Sequence, residues 1–568
     1  MPHLSALMSL TPDLILTRGR ITTMDAERPE VEALAIRGDQ IIAVGSSEVI
    51  ESLADDHTVI RDLAGRRAIP GINDTHNHVI SMGRVLNDVQ LYAARSISDI
   101  QEAIAAAVDA APPGAWIFGR GWDESLLRDG RFPNRHDIDE VAPNNPVVLE
   151  RVWNMLLANS AAMQAADVGR HTPDPPSGTL YAGRIERDAN GDPTGIFRDR
   201  SKSLILSAMP QRTATDHEHA IRAACRAYNA LGVTSCADPG LMPDQLQAYQ
   251  NVRRAGDLTL RTSLCLAGWG FGSATEDDDD IAARIEATGV YTGFGDAWLR
   301  MDCVKFLPDG GIGDRTALMY ESYLGEPDNF GQFVVSERDL FRYVSWCHDR
   351  GWSIDNHACG DRMIHLVAQA YAQAIDANPA IEVRHRIHHG YLITDEAMAL
   401  LRDYRIPVLA TIPFIYNLGE SFVASIGEER AGQVMPLRSL LDAGVPLALG
   451  SDAPVTTYNP FVGIYAATTR RTVYGRQLGA DECITREEAL RAYTLDAAWV
   501  TREEDRKGSL AVGMLADIAV LDRDLFSVPD DELLEITSQL TIVGGRVAHE
   551  TPGAVATMHR EPTASAAD

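Results

Sequence analysis

Cysteine is scarce in this chain: seven residues in 568, at positions 225, 236, 265, 303, 347, 359 and 483, with no CxxC pair among them. That count and spacing argue against a zinc knuckle or a disulfide framework, and point to reduced, mostly buried thiols in a cytoplasmic compartment. Long apolar runs are missing as well. No stretch of 18 apolar residues occurs, and the first twenty residues, MPHLSALMSLTPDLILTRGR, are broken by Pro, Thr and Asp before an apolar core of signal-peptide length is complete. Neither a membrane span nor a cleaved leader is expected. Basic residues are outnumbered, 51 Lys and Arg against 80 Asp and Glu, for a formal charge of -29 spread along the chain apart from the run Asp277 to Asp280. Nucleic acid is not expected as a partner, because phosphate binding needs basic patches. The surface charge gives no reason to exclude a homodimer.

What is present is enough apolar material, 45% of residues, for a large core. A length prior of roughly 150 residues per domain suggests about four domains, but an α/β barrel alone takes about 250 residues and can exceed 400. Short apolar runs split by Gly and Asp turns (Leu14 to Leu16, Ala33 to Ile36, Ile41 to Val44) read as β-hairpins, and the style returns at Ala516 to Leu521 and Leu540 to Val547. The two ends, 1–71 plus 505–568, are expected to pair into one small β domain. Between them, over 72–504, apolar runs alternate with helical stretches such as Asp99 to Ala110, His217 to Leu231, Glu337 to Arg350 and Thr485 to Trp499, the last opened by a Thr485–Glu488 capping box. Runs at Val147 to Leu149, Val233 to Ser235, Cys303 to Phe306, Trp352 to Ile354, Val383 to Ile387, Val408 to Ala410 and Leu447 to Leu449 complete roughly eight βα units, the pattern of a (β/α)8 TIM-like barrel. A Pro- and Gly-rich stretch at about 151–200 reads as a hairpin or cap insertion, Ala274 to Gly295 as a solvated loop, and the last fifteen or so residues as a frayed tail.

The strongest chemical signal is Ile69-Pro70-Gly71-Ile72-Asn73-Asp74-Thr75-His76-Asn77-His78, two histidines two apart at the end of an apolar run. On a strand, that spacing turns both rings to one face, within reach of one ion at about 2.0 to 2.1 Å. Four more ligand-type residues close strands downstream: Lys305 in VKF, His357 in DNHA, His389 in RHRIHHG and Asp452 in GSDAP. Strand ends converge at the C-terminal mouth of a barrel. Neighbours on a strand face opposite ways, so only one of His388 and His389 is expected to point inward, and the parity of Ile381, Val383 and Ile387 favours His389.

The ordered set PGxxDxHxH, VK, HAxGD, RHRIxH and GSDAPV resembles the amidohydrolase superfamily, in particular the branch of N-substituted formamide deformylases and related metal-dependent amidohydrolases. The likeness covers nearly the whole chain, including GSLAVGMLADIAV at Gly508 to Val520, a strand pair of the small β-sandwich built from both ends. It implies one or two divalent metal ions, most simply zinc. His76, His78 and Asp452 would hold the more buried ion, and His357 and His389 the more exposed one. Lys305 would bridge them as a carbamate, since a bare ammonium beside two dications is repelled. Two positions depart from the resemblance. His388 stands where relatives more often have Glu, and Asn154 or Met155 stands where relatives carry a histidine before an Asn-Ser pair.

On this reading Asp452 is the catalytic base that takes a proton from a metal-activated water and delivers it to a leaving nitrogen. Trp122, Trp153, Asn154, Arg315, Tyr320, Phe414 and Tyr416, all expected in loops after strands, are candidate substrate contacts, with cap packing the alternative for the aromatic ones. Their content suggests a small-molecule N-substituted amide, formamide or carbamate. Deamination, or ester, lactone or carbamate C–O hydrolysis, fits the same metal core. A silent scaffold is disfavoured because all six ligand positions are filled, and no convincing pair of strand-end glutamates supports a sugar-processing barrel.

Overall fold

The alternation in the middle of the sequence resolves into eight parallel strands, β1 (Ile72–Asp74), β2 (Val233–Leu241), β3 (Arg261–Ala267), β4 (Leu299–Phe306), β5 (Ser353–Ala358), β6 (Arg386–His389), β7 (Val408–Ala410) and β8 (Leu447–Leu449), hydrogen-bonded in that order. This computed structural model describes residues 11–91, 93–122, 127–152, 155–175, 183–198, 201–210, 212–270 and 278–558. The strands are buried almost throughout, as parallel strands covered on both faces require. No ladder joins β1 to β8. The seam is spanned by side chains and loop backbone: Thr75 N and Oγ1 donate to Leu449 O at 3.3 and 2.8 Å, and Asp74 accepts from the backbone and hydroxyl of Ser451 at 2.9 and 2.6 Å. The barrel is therefore nearly closed, with its seam beside the HxH segment.

Helices follow the strands where caps begin them. Ser336 accepts from Asp339 N ahead of Glu337–Asp349, and Thr394 from Ala397 N ahead of Asp395–Asp403. The Thr485–Glu488 box forms as expected, but the helix it opens ends at Ala492. A second one, Leu495–Val500, follows Thr494, whose φ of -130° lies outside the helical range. The acidic segment also departs from the sequence reading. Asp278–Glu286 is a helix with Asp278, Asp279 and Asp280 in its first turn, where they complement the helix dipole, and with Ile281 and Ile285 buried four residues apart.

Strands from both chain ends build two further sheets. One orders Ala556–Met558, Val59–Asp62, Leu14–Thr17, Ala33–Arg37 and Gln40–Gly45; the other orders Arg546–Glu550, Ser538–Val543, Ile518–Leu521, Arg67–Pro70, Arg20–Thr22 and Glu30–Val31. Leu16, Ile36 and Leu34 from one sheet share a core with Ile518, Val520 and Ile542 from the other, a β-sandwich. Ala556–Met558 extends order into the expected frayed tail, whose last ten residues lie outside those described.

Val147–Val152 is not a barrel strand. It lies in a six-stranded mixed sheet with Val89–Gln90, Ile117–Arg120, Met155–Ala158, Pro193–Arg198 and Arg184–Arg187, within a compact unit running from Gly83 to Ala223. That unit is wider than the insertion expected at about 151–200, because its antiparallel hairpins are joined to βα-like segments that read locally as barrel repeats. Among the described residues no helix is long and apolar enough to cross a membrane.

Candidate metal centre

The ends of the barrel strands bring the ligand-type residues together. His76 and His78 follow β1, Lys305 lies near the end of β4, His357 in β5, His388 and His389 close β6, and Asp452 follows β8. His76 Nε2 and His78 Nε2 stand 3.0 and 3.2 Å from one oxygen, Asp452 Oδ1. That oxygen is buried yet has no well-aligned hydrogen bond, and His76 Nδ1 is also unpartnered. Leaving such a carboxylate oxygen unsatisfied is costly. Three donors that approach without bonding one another are aimed at a common point, and an ion with tetrahedral ligands at about 2.0 to 2.1 Å would hold them about 3.3 Å apart. The residues fit a divalent ion.

His357, Cys359 and His389 form a second group whose ligand atoms lie within 4.8 Å of one another. His389 Nδ1 bonds Thr411 Oγ1 at 3.0 Å, which leaves Nε2 free to ligate. His357 Nε2 faces Gly310 O at 3.1 Å and leaves Nδ1 free. Burial, with the Lys305 charge, pushes His76 and His357 down to about 4. Burial also takes His388 and His389 well below the ordinary histidine value, so these four rings are neutral, the ligand form, at pH 7. His78 goes the other way: burial opposes its charge, but the close approach and charge of Asp452 outweigh it and raise the ring. Burial pushes the Asp452 carboxyl upward, but the charge of His76 and the approach of both imidazoles hold it well below the usual carboxylate range.

Asp74 holds the two sides of the first group in register. One of its oxygens accepts from His76 N at 3.3 Å and Ser451 N at 2.9 Å; the other accepts from Asn77 Nδ2 at 3.2 Å and Ser451 Oγ at 2.6 Å. Burial still lifts its carboxyl to about 6. Asp309 plays the same part for the β5 loop, accepting from the amides of Leu318, Cys359 and Gly360 at 3.0 to 3.3 Å.

The expectation that only one of His388 and His389 points inward is corrected by the backbone. His389 has φ +72° and Gly390 φ +56°, so strand alternation stops at His388, and residues 381–385 are not strand at all. His388 Nδ1 lies 2.7 Å from Lys305 Nζ, while the His389 ring is 4.4 Å from that of His357. A non-glycine residue in this region costs about 1 to 2 kcal/mol; it is tolerated where it lets two adjacent histidines serve one centre. Asp452, at φ +56°, is built the same way.

The candidate substrate residues separate. Phe414 is buried beside the second group, 5.9 Å from the His389 ring, with Tyr391 at 5.5 Å. Trp122 is 1% exposed in the core of the Gly83–Ala223 unit, and its Nε1 donates to Leu149 O at 3.1 Å; packing accounts for it, and its expected substrate role is withdrawn. Arg315 does not pair with Asp314 and is not free to clamp a ligand, since it donates to Glu326, Leu324 O and Ala424 O and braces its loop. Tyr320 is 49% exposed, with its hydroxyl 2.9 Å from His365 Nδ1. Tyr416 packs edge-on against Tyr465. Trp153 and Asn154 lie outside the described residues. Sequence reasoning missed Asp355, Thr411 and Asp309. The signal that could have found Asp355 is its spacing: two residues before His357 on the strand Ser353–Ala358, it falls on the same face, and it is 0% exposed.

The amidohydrolase family profile matches residues 59–549. The chain is 29% identical to a putative amidohydrolase, YtcJ, of Bacillus subtilis over 94% of this chain and 98% of that one. It is 28% identical to an N-substituted formamide deformylase of Arthrobacter pascens over 96% and 100%, and 30% identical to the protein LONG AFTER FAR-RED 3 of Arabidopsis thaliana over 95% and 93%. Among solved structures, an uncharacterized metal-dependent hydrolase from Pyrococcus furiosus superposes with a TM-score of 0.74 at 26% identity, covering 90% of this chain and all of that one. A match over most of the length, together with a metal-type donor set at the barrel mouth, makes this chain a hydrolase that belongs to the amidohydrolase family.

Proposed function

We propose that the protein cleaves the C–N bond of a small N-substituted amide, formamide or carbamate. His76, His78 and Asp452 would hold one divalent ion, most simply zinc, His357 and His389 would hold a second, and Lys305, as a carbamate, would serve both. Such ions polarise a carbonyl and lower the pKa of water toward 7. The protein's own part is to supply neutral imidazoles, to hold the attacking and leaving groups between Phe414, Tyr391 and the donors, and to move one proton through the Asp452 carboxylate to the departing nitrogen. The observation that carries this reading is the convergence of His76, His78 and the orphaned Asp452 oxygen on one buried point. The apolar wall of Phe414 and Tyr391 beside His389 suits an apolar or aryl N-substituent. Free cysteines, six of the seven buried, suit a reducing cytoplasm.

The test is metal content by plasma mass spectrometry, with turnover of N-aryl formamides, acetamides, carbamates and esters. Chelator-sensitive amide cleavage restored by zinc or manganese supports the reading. Cleavage confined to esters, or deamination of an aminoheterocycle, replaces it with the C–O or deaminase alternative. A fully metallated but inert protein contradicts catalysis altogether. Phe414→Ala should raise KM for N-aryl substrates more than it lowers kcat.

A further inference from the structure

Lys305 Nζ, 1% exposed, lies 2.7 Å from His388 Nδ1 and 3.3 Å from Asp355 Oδ1. The register brings these groups together: Lys305 pairs with Asp355 across β4 and β5, Asp355 pairs with Arg386 across β5 and β6, and His388, two residues on from Arg386, faces the same interior. Behind them Asp355 Oδ2 stands 2.9 Å from His388 Nε2 and 3.6 Å from Arg386 Nε, though not in line for a hydrogen bond with His388, and Arg386 Nη2 donates to Asp302 Oδ2 at 2.6 Å. Two cations and two carboxylates thus balance inside the barrel. An ion pair alone would need only Asp355; His388 adds a neutral acceptor aimed at Nζ.

We propose that His388, backed by Asp355, is a positioning residue for Lys305 that fixes how a carbamate on Nζ faces the two ions. The inference rests on the carbamate reading above. In the modification Nζ bonds to the carbon of carbon dioxide, one C–O π pair moves onto oxygen, and two protons of the ammonium pass to solvent. One hydrogen stays on nitrogen, and His388 Nδ1 is its acceptor. The N–CO2 group is planar for the same resonance reason as a peptide, so fixing the direction of that N–H fixes the plane of both carbamate oxygens. Without His388 the plane would rotate, and the second ion would lose its bridge.

The test compares His388→Gln, which keeps an acceptor oxygen, with His388→Leu, which keeps the bulk and removes the acceptor. Each is loaded with zinc in 13C-bicarbonate and read by the carbamate carbon signal, by zinc affinity and by ions per chain. Wild type should show the signal and two ions. The leucine variant should lose the signal and bind the second ion about 10- to 100-fold more weakly, the range for outer-shell partners of metal ligands. The glutamine variant should retain both within about threefold, and Asp355→Asn should fall between. Should the leucine variant fail to fold, the glutamine and Asp355→Asn proteins carry the comparison. A leucine variant with full signal and two tight ions overturns the proposal, as does a metallated wild type with no carbamate signal or an Asp355→Asn protein identical to it. None of these readouts depends on turnover, so an inert enzyme that passes them contradicts only the proposed reaction.

Discussion

His76, His78 and Asp452 crowd onto one point with an orphaned carboxylate oxygen among them, whereas Lys305 has its nitrogen engaged by His388 and Asp355. The first arrangement is unsatisfied without a cation. In the second, Nζ is already paired within the protein, and on the proposed reading it would join a metal centre only after that nitrogen was modified. The contrast shows that burial alone does not mark a metal ligand: the Asp452 oxygen and Lys305 Nζ are both buried, and what separates those two atoms is that only Nζ already has partners.

Breaking the first arrangement should have the largest effect on turnover. Asp452→Asn should lower kcat by about 10²- to 10⁴-fold with its ions restored, the worth of a positioned proton carrier; a variant keeping more than a tenth of wild-type kcat would remove Asp452 from that role. Asp74→Asn should do less to turnover, because Asp74 acts through His76 and Ser451. Loss of acceptors in that buried staple should cost about 1 to 3 kcal/mol of stability, seen as a lower midpoint in urea, with a smaller fall in kcat than for Asp452→Asn.

Protons compete with the ion for the same histidine nitrogens. A group whose proton must leave before the ion binds weakens binding as pH falls below its pKa. His78 is raised above the ordinary value while His76 and His357 lie at about 4. Affinity for the first ion should therefore fall by one proton's worth, tenfold per unit, once pH drops below the raised value of His78 and before it reaches the His76 value of about 4. Calorimetric titration across that range showing two or more protons displaced would contradict the assignment. The smallest effect on turnover should come from Trp122→Ala, which opens a cavity in the core of the Gly83–Ala223 unit: about 3 to 5 kcal/mol of stability lost, with KM unchanged in the folded protein.

The parallel strands and the composite sandwich were legible because each is a local pattern, short apolar runs and hairpin turns; His76 and His78 stood out by their spacing at a strand end. Val147–Val152 was misplaced because a buried strand of a mixed sheet has the same composition as a barrel strand, and only its partners, Ile117–Arg120 and Met155–Ala158, tell them apart. Ala274 to Gly295 reads as a solvated loop because its run of carboxylates looks solvated unless it falls in a first helical turn, as Asp278, Asp279 and Asp280 do. His388 was hidden by a backbone event, the left-handed turn at His389 and Gly390, that strand parity does not encode. Arg315 stood among the candidate substrate contacts because its partners, Glu326 and Ala424 O, are distant or backbone groups.

On the proposed reading the barrel mouth is a metal centre organised on His76, His78 and Asp452. Anomalous X-ray diffraction at the zinc edge on zinc-loaded crystals tests it most directly. A peak within about 2.0 to 2.2 Å of both His Nε2 atoms and an Asp452 oxygen is the expected result. A fully loaded protein with its anomalous density elsewhere, and His76, His78 and Asp452 hydrogen-bonded only to one another, would contradict it.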